Sequence, residues 1–225
     1  MSFRPGARLE RRPLHVVFVL DVSGSMAEDG KIEALNAAVA GTLPHLVELA
    51  ERNPFAEMLV RAIVFSDGAR WHIADPVPVE QVTWRRVAAG GFTDLGAALG
   101  LLSESLAVPP MPERALPPVL VLISDGRPTD DAEAGLARLL GAPWGRRAVR
   151  LAVAVGTDVD LEVLQAFIDD PHVAPFTARD PEQLAYLVRF ATVAASRLAT
   201  ATPGSGPDDL EQPRVPAPTD GLLVW

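Results

Sequence analysis

The sequence has no cysteine, one tyrosine and one lysine, Lys31, among 225 residues. Without cysteine there can be no disulfide framework, thiol nucleophile, iron–sulfur cluster or thiolate zinc site. No apolar run approaches the ~18 residues of a membrane span. The stretch from Met1 to Pro13 is polar and arginine-rich and lacks the apolar segment of a signal peptide, so the expected location is the cytoplasm. Basic charge is scarce too: 20 lysines and arginines face 29 acidic residues, for a net charge of −9. Such a surface repels phosphate backbones, and neither nucleic acid nor membrane is expected as a partner. The preference for arginine over lysine reads as base composition of the source genome rather than as chemistry.

What is present is globular. Hydrophobic residues make up 48% and charged residues 22%, a composition that supports a packed core. The length fits one domain with tails, at ~100–200 residues per domain, and a monomer is expected.

Buried strands show as short, nearly continuous apolar runs. Four stand out: 14–20, 58–65, 119–123 and 148–155. A weaker one lies near 173–177. Residues 69–73 follow the tight turn Ser66-Asp67-Gly68 and can return as an antiparallel edge strand. Helical spacing of apolar residues marks 31–49, with Pro44 expected to kink it or start a new segment. Further helices are expected over 94–107, 131–140, 160–168 and from Asp180 onward, where Asp180 caps and Pro181 takes the first helical position. Alternation of strand and helix predicts a doubly wound α/β fold. Its sheet is mostly parallel, with helices on both faces and one short antiparallel edge strand. The expected organisation is an arm over 1–13, the domain over 14–199 and a disordered, proline-rich tail over 200–225. The tail is expected to be dispensable for folding. It ends in the apolar tip Leu222 to Trp225, where Trp225 reads either as a disordered end or as an anchor for a partner groove.

Three polar clusters fall where ligands bind in such folds, beyond the carboxyl ends of strands. They are Asp21-Val22-Ser23-Gly24-Ser25, Gly90-Gly91-Phe92-Thr93-Asp94 and Ser124-Asp125-Gly126. Taken singly, each reads as a turn or a helix cap. Taken together, Asp21, Ser23, Ser25, Thr93 and Asp125 offer two carboxylates and three hydroxyls, with Asp94 as either a helix-start carboxylate or a supporting contact. All these donors are hard oxygens, which select Mg²⁺, Mn²⁺ or Ca²⁺ over zinc or copper. Two carboxylates neutralise a divalent ion, and hydroxyls fill its shell without adding charge, so the ion keeps attraction for an outside carboxylate. The histidines at 15, 45, 72 and 172 are scattered and show no ligand spacing.

DVSGS (21–25), Thr93 in GGFTDLGAAL and Asp125 in ISDGRPTD resemble the metal-ion-dependent adhesion site of von Willebrand factor A (VWA) domains. Every motif position is filled, in family order, over roughly 14–199. The resemblance implies that Ser23 and Ser25 touch a Mg²⁺ or Mn²⁺ ion directly. It implies that Thr93 does so when a ligand is bound, and that Asp21 and Asp125 act mostly through waters. The GGFTDLGAAL and DGRPTD segments look most like the bacterial tellurium-resistance TerY-like branch, whose cytoplasmic members occur beside kinase- and phosphatase-like partners. The resemblance therefore implies a non-enzymatic module that binds a protein partner through an exposed Asp or Glu. The alternative is a phosphatase of the haloacid-dehalogenase type, which also opens on a strand followed by an aspartate. That chemistry wants a second carboxylate two residues later; here the position holds Ser23, which cannot act as a general acid near neutral pH. There is no GxxxxGK[ST] and no GxGxxG after the first strand, so nucleotide binding has no support.

Overall fold

The computed structural model describes residues 11–157 and 159–200. The proline-rich tail with Trp225, apart from Thr200, and the arm up to residue 10 lie outside the described residues. The chain builds one six-stranded sheet. In chain order the elements are β1 (Arg12–Asp21), a 3₁₀ turn (Gly24–Gly30), α1 (Lys31–Arg52), β2 (Ala56–Ser66), β3 (Gly68–Pro78), α2 (Leu95–Ser105), β4 (Val119–Ser124), α3 (Ala132–Gly141), β5 (Val149–Val155), α4 (Leu161–Ile168), β6 (Phe176–Ala178) and α5 (Pro181–Thr200). The strand order is β3-β2-β1-β4-β5-β6. All neighbours are parallel except β2 and β3. The expected fold class is the one observed.

The continuous apolar strands are explained by burial on both faces. Side chains alternate across a strand. On β1, Leu14, Val16, Phe18 and Leu20 join the core beneath α1 and α5. Val17 and Val19 join the opposite core, beneath α2, α3 and α4. Each layer is closed by a helix pair in contact, α1 with α5 and α2 with α3.

Two details depart from expectation. α1 continues through Pro44 as one helix of 22 residues. The ring removes the N–H that would have bonded the carbonyl of Ala40, but Pro44 and Ala40 are both exposed, so water can satisfy that carbonyl. The antiparallel edge strand is longer than the expected 69–73, running from Gly68 to Pro78. It passes through Pro76 and Pro78, which an edge strand tolerates because one side of its backbone has no ladder to serve.

The chain moves outward from β1 to β2 and β3, then crosses back to β4 and moves outward the other way. The order therefore reverses between β1 and β4. A crevice opens there at the carboxyl ends of the strands, the usual ligand position of open α/β sheets.

One histidine bears on stability. His15 is 6% exposed, and its Nε2 has no hydrogen-bond partner among the described residues. Burial, reinforced by the nearby Arg61 charge, lowers its pKa from 6.5 to about 4. The unfolded chain thus takes up a proton before the folded one does. The stability tied to neutral His15 is complete above pH 6.5 and is lost as pH falls toward 4. The linkage is worth up to about 3 kcal/mol at 1.36 kcal/mol per pKa unit. His15→Leu should flatten the fall of the urea midpoint between pH 7 and pH 4.5. An unchanged slope in that variant would assign the acid sensitivity to other groups.

Candidate metal centre at the sheet reversal

The site grows from the ends of β1 and β4. Leu20 pairs with Ile123 across the two strands, so Asp21 and Ser124 come side by side one residue further on. The Ser124 hydroxyl donates to Asp21 Oδ2 at 2.5 Å. Asp21 Oδ1 accepts the backbone N–H of Ser23 at 2.9 Å, which turns the chain sharply off the strand. Asp21 has no solvent exposure. Burial raises its carboxyl above the ordinary range, against the hydrogen bonds from Ser124 and Ser23, and the charge of Asp125 pushes the same way as burial.

The turn from Ser23 carries the two hydroxyls inward. Ser23 Oγ and Ser25 Oγ lie 3.1 Å apart, and Ser25 donates to Asp125 Oδ1 at 2.7 Å. The other Asp125 oxygen, Oδ2, accepts Lys31 Nζ at 2.7 Å. The Asp125 side chain is fully buried and that of Lys31 is 14% exposed.

Thr93 arrives on a separate loop that is tied down on every side. Gly90 N–H donates to Val22 O at 2.8 Å and Gly24 N–H to Gly91 O at 3.0 Å, so this loop and the Asp21–Ser25 loop share backbone bonds. Gly91 has φ +89, and a Cβ there would meet the Asp67 carboxylate at 2.8 Å. That carboxylate accepts Phe92 N–H at 2.8 Å. Glycine is therefore required at 91 by both conformation and space. Gly126 closes the set. A Cβ on it would lie 3.4 Å from Thr93 Oγ1 and 3.8 Å from Asp21 Oδ2, so the Thr93 hydroxyl and the Asp21 carboxylate both border the same glycine.

The structure thus brings Asp21, Ser23, Ser25, Thr93 and Asp125 to one place, as the sequence pattern requires. Asp94 does not cap its own helix by its side chain. Its oxygens accept Gly68 N–H at 2.7 Å and the Thr129 hydroxyl at 2.9 Å, so it fastens the Thr93 loop to the two loops beside it. Asp131 caps α3, while Asp130 caps α2 across the gap, accepting Gly96 N–H and Ala97 N–H at 2.8 Å each. Two residues join the site beyond the five ligand candidates: Ser124, which lies in one of the three polar clusters, bonds Asp21, and Lys31 bonds Asp125. Lys31 carried a signal in being the only lysine, but composition drew attention away from its place.

The donors suit a hard divalent cation. Among the described residues no group of three His, Cys, Asp or Glu gathers at one point; here hydroxyls supply what a third carboxylate would. Of the two buried carboxylates, Asp125 pairs with the Lys31 ammonium, while Asp21 accepts from a hydroxyl and a backbone N–H. The site therefore keeps one negative charge uncompensated in a buried place, where charge calls for a counter-ion.

Comparison with known proteins agrees with the architecture. A von Willebrand factor A protein from Catenulispora acidiphila superposes with TM-score 0.64 at 19% identity, covering 82% of this chain and 43% of that one. The pilus adhesin SpaC from Lactobacillus rhamnosus GG, in its open conformation form, superposes with TM-score 0.62 at 14% identity, over 83% of this chain and 30% of that one. Proximal thread matrix protein 1 of the mussel byssus, with a zinc-occupied MIDAS motif, gives TM-score 0.59 at 17% identity, over 83% and 46%. The chain spans less than half the length of each. No curated protein matches the sequence. The profile of the von Willebrand factor type A domain matches residues 15–190, and by that match the chain belongs to the von Willebrand factor A family.

Proposed function

We propose that this protein is a non-catalytic, cytoplasmic protein-binding module. In this reading Asp21, Ser23, Ser25, Thr93 and Asp125 hold a Mg²⁺ or Mn²⁺ ion, and an Asp or Glu of a protein partner completes the shell. The carrying observation is the convergence of five oxygen-bearing side chains at the sheet reversal, with two buried carboxylates matched by one ammonium. A bound divalent ion supplies the positive charge that attracts the partner's carboxylate. The chain's own residues do the rest. Asp21 and Ser124 fix the floor, the shared backbone bonds of the two loops fix the rim, and Asp94 with Thr129 fixes Thr93. Phe92, 67% exposed beside Thr93, offers an apolar contact at the rim, and exposed aromatics are common anchors in interfaces.

The GGFTDLGAAL and DGRPTD segments favour a TerY-like role in tellurium or general stress resistance. They also favour a kinase- or phosphatase-like partner. The experiment is capture of partners from lysate with and without EDTA, using wild type and Thr93→Ala. Binding should fall with EDTA. It should fall in Thr93→Ala more than Mn²⁺ affinity falls, because Thr93 contributes mainly when a ligand is present. Equal recovery of the same partners in all arms would show that the metal does not mediate recognition.

A further inference from the structure

Lys31 is the only lysine of the chain, and it stands where helix physics disfavours it. It is the first residue of α1, following Asp29 and Gly30 in left-handed backbone at φ +50 and +72. The first turn of a helix carries partial positive charge and favours acidic side chains. α1 places an ammonium there and directs it at Asp125 Oδ2, 2.7 Å away. The pair is well shielded, with side-chain exposures of 14% for Lys31 and 0% for Asp125. Helix stability therefore does not explain this lysine; the pairing with Asp125 does.

The consequence follows from counting charge. Asp21 and Asp125 contribute −2 and Lys31 contributes +1. With a divalent ion the cluster stands at +1; without the lysine charge it would stand at zero. An ammonium beside the ion repels it and attracts an anion that approaches it. Lys31 also takes a lone pair of Asp125 Oδ2, as Ser25 takes one of Oδ1, so the ammonium competes with an ion for that carboxylate.

Resting on the metal site of the proposed function, we infer that Lys31 is a specificity-setting counter-charge: it lowers the site's affinity for the divalent ion and raises the loaded site's affinity for a carboxylate ligand. The two effects have opposite signs. A residue that merely holds the loop in shape would, when replaced, weaken both.

The test uses the full chain as wild type, Lys31→Met, which keeps the stem and removes the charge, and Lys31→Arg, which keeps the charge. Mn²⁺ affinity is read by calorimetry. Carboxylate affinity is read with acetate as the probe, from the Mn²⁺-induced relaxation of its methyl protons. Lys31→Met should bind Mn²⁺ about tenfold tighter, the interaction being reduced from its bare Coulomb strength by solvent near the site. It should bind acetate several-fold more weakly, and Lys31→Arg should stay near wild type in both. If Lys31→Met does not fold, Lys31→Gln replaces it, and the rise in melting temperature on adding Mn²⁺ should be larger than in wild type. Mn²⁺ affinity that is not raised, or acetate affinity that is not lowered, overturns the inference while leaving the metal site standing. Wild type that shows no saturable Mn²⁺ binding overturns the metal site and the inference together.

Discussion

Replacing Asp21 by alanine or asparagine should reduce Mn²⁺ affinity at least ~100-fold while leaving the fold intact. Loss of a mere supporting contact typically costs about 10–100-fold in metal affinity, and Asp21 supplies one of only two carboxylates at the site. The asparagine variant separates charge from shape. Its amide oxygen can still accept the Ser23 N–H, and its amide nitrogen can donate to the Ser124 hydroxyl in place of the present bond. What disappears is a buried charge, so the metal-free protein should become more stable, by on the order of 1 kcal/mol at neutral pH. The sign of the pH dependence follows from the raised pKa of Asp21. Between the ordinary value of 3.8 and the raised folded value, the folded chain holds a proton that the unfolded chain has released. Asp21 therefore costs stability progressively as pH rises through that window. Asp21→Asn should remove this component of the urea-midpoint profile. Equal Mn²⁺ titrations for wild type and Asp21→Ala would refute the assignment of the site.

Most of the fold was legible because each signal was redundant. The run from Leu14 to Leu20 is apolar at every position but His15, and its shortness, β-branched residues and polar end at Asp21 together mark a strand buried on both faces. The ends of elements were less legible. β4 extends to Ser124 because a hydroxyl can sit buried once Asp21 accepts it, and no pattern internal to that strand predicts this. Pro44 misled for a physical reason: the cost of an interior proline depends on which carbonyl it strands, and exposure is a tertiary property. The five site residues were readable because their types are restricted to hard oxygen donors and their places to strand ends. Lys31 was not, because its role comes from a contact spanning 94 residues. Asp130 was not legible either: it caps α2 rather than the helix its own loop enters, since α2 and α3 lie close enough for one helix's entry loop to serve the other.

That closeness yields the last large effect. Gly96 in α2 and Gly135 in α3 meet backbone to backbone. A Cβ on Gly135 would fall 2.7 Å from Gly96 O and 2.8 Å from Gly96 Cα. These are main-chain atoms that no rotamer can move aside, so Gly135→Ala must push the helices apart. Overpacking of this kind costs about 1–3 kcal/mol, partly offset by the better helix propensity of alanine, about 1 kcal/mol. A net destabilisation of up to about 2 kcal/mol is expected. The metal centre should feel it as well. Thr93 precedes α2, Asp125 lies on the loop entering α3, and the Asp130 and Thr129 bonds couple the two. Widening the crossing moves Thr93 away from Asp125, and binding constellations tolerate only about 0.5 Å of such drift. Gly135→Ala should therefore weaken Mn²⁺ binding although it touches no ligand. Gly41→Ala is the contrast, because a Cβ at that position of α1 meets nothing within 4 Å. It should gain a few tenths of a kcal/mol to about 1 kcal/mol from helix propensity alone and bind Mn²⁺ as wild type does. Urea denaturation and Mn²⁺ titration of both variants decide the matter. Gly135→Ala matching Gly41→Ala in both measurements would mean that the helix crossing has slack and does not set the distance between the Thr93 and Asp125 loops.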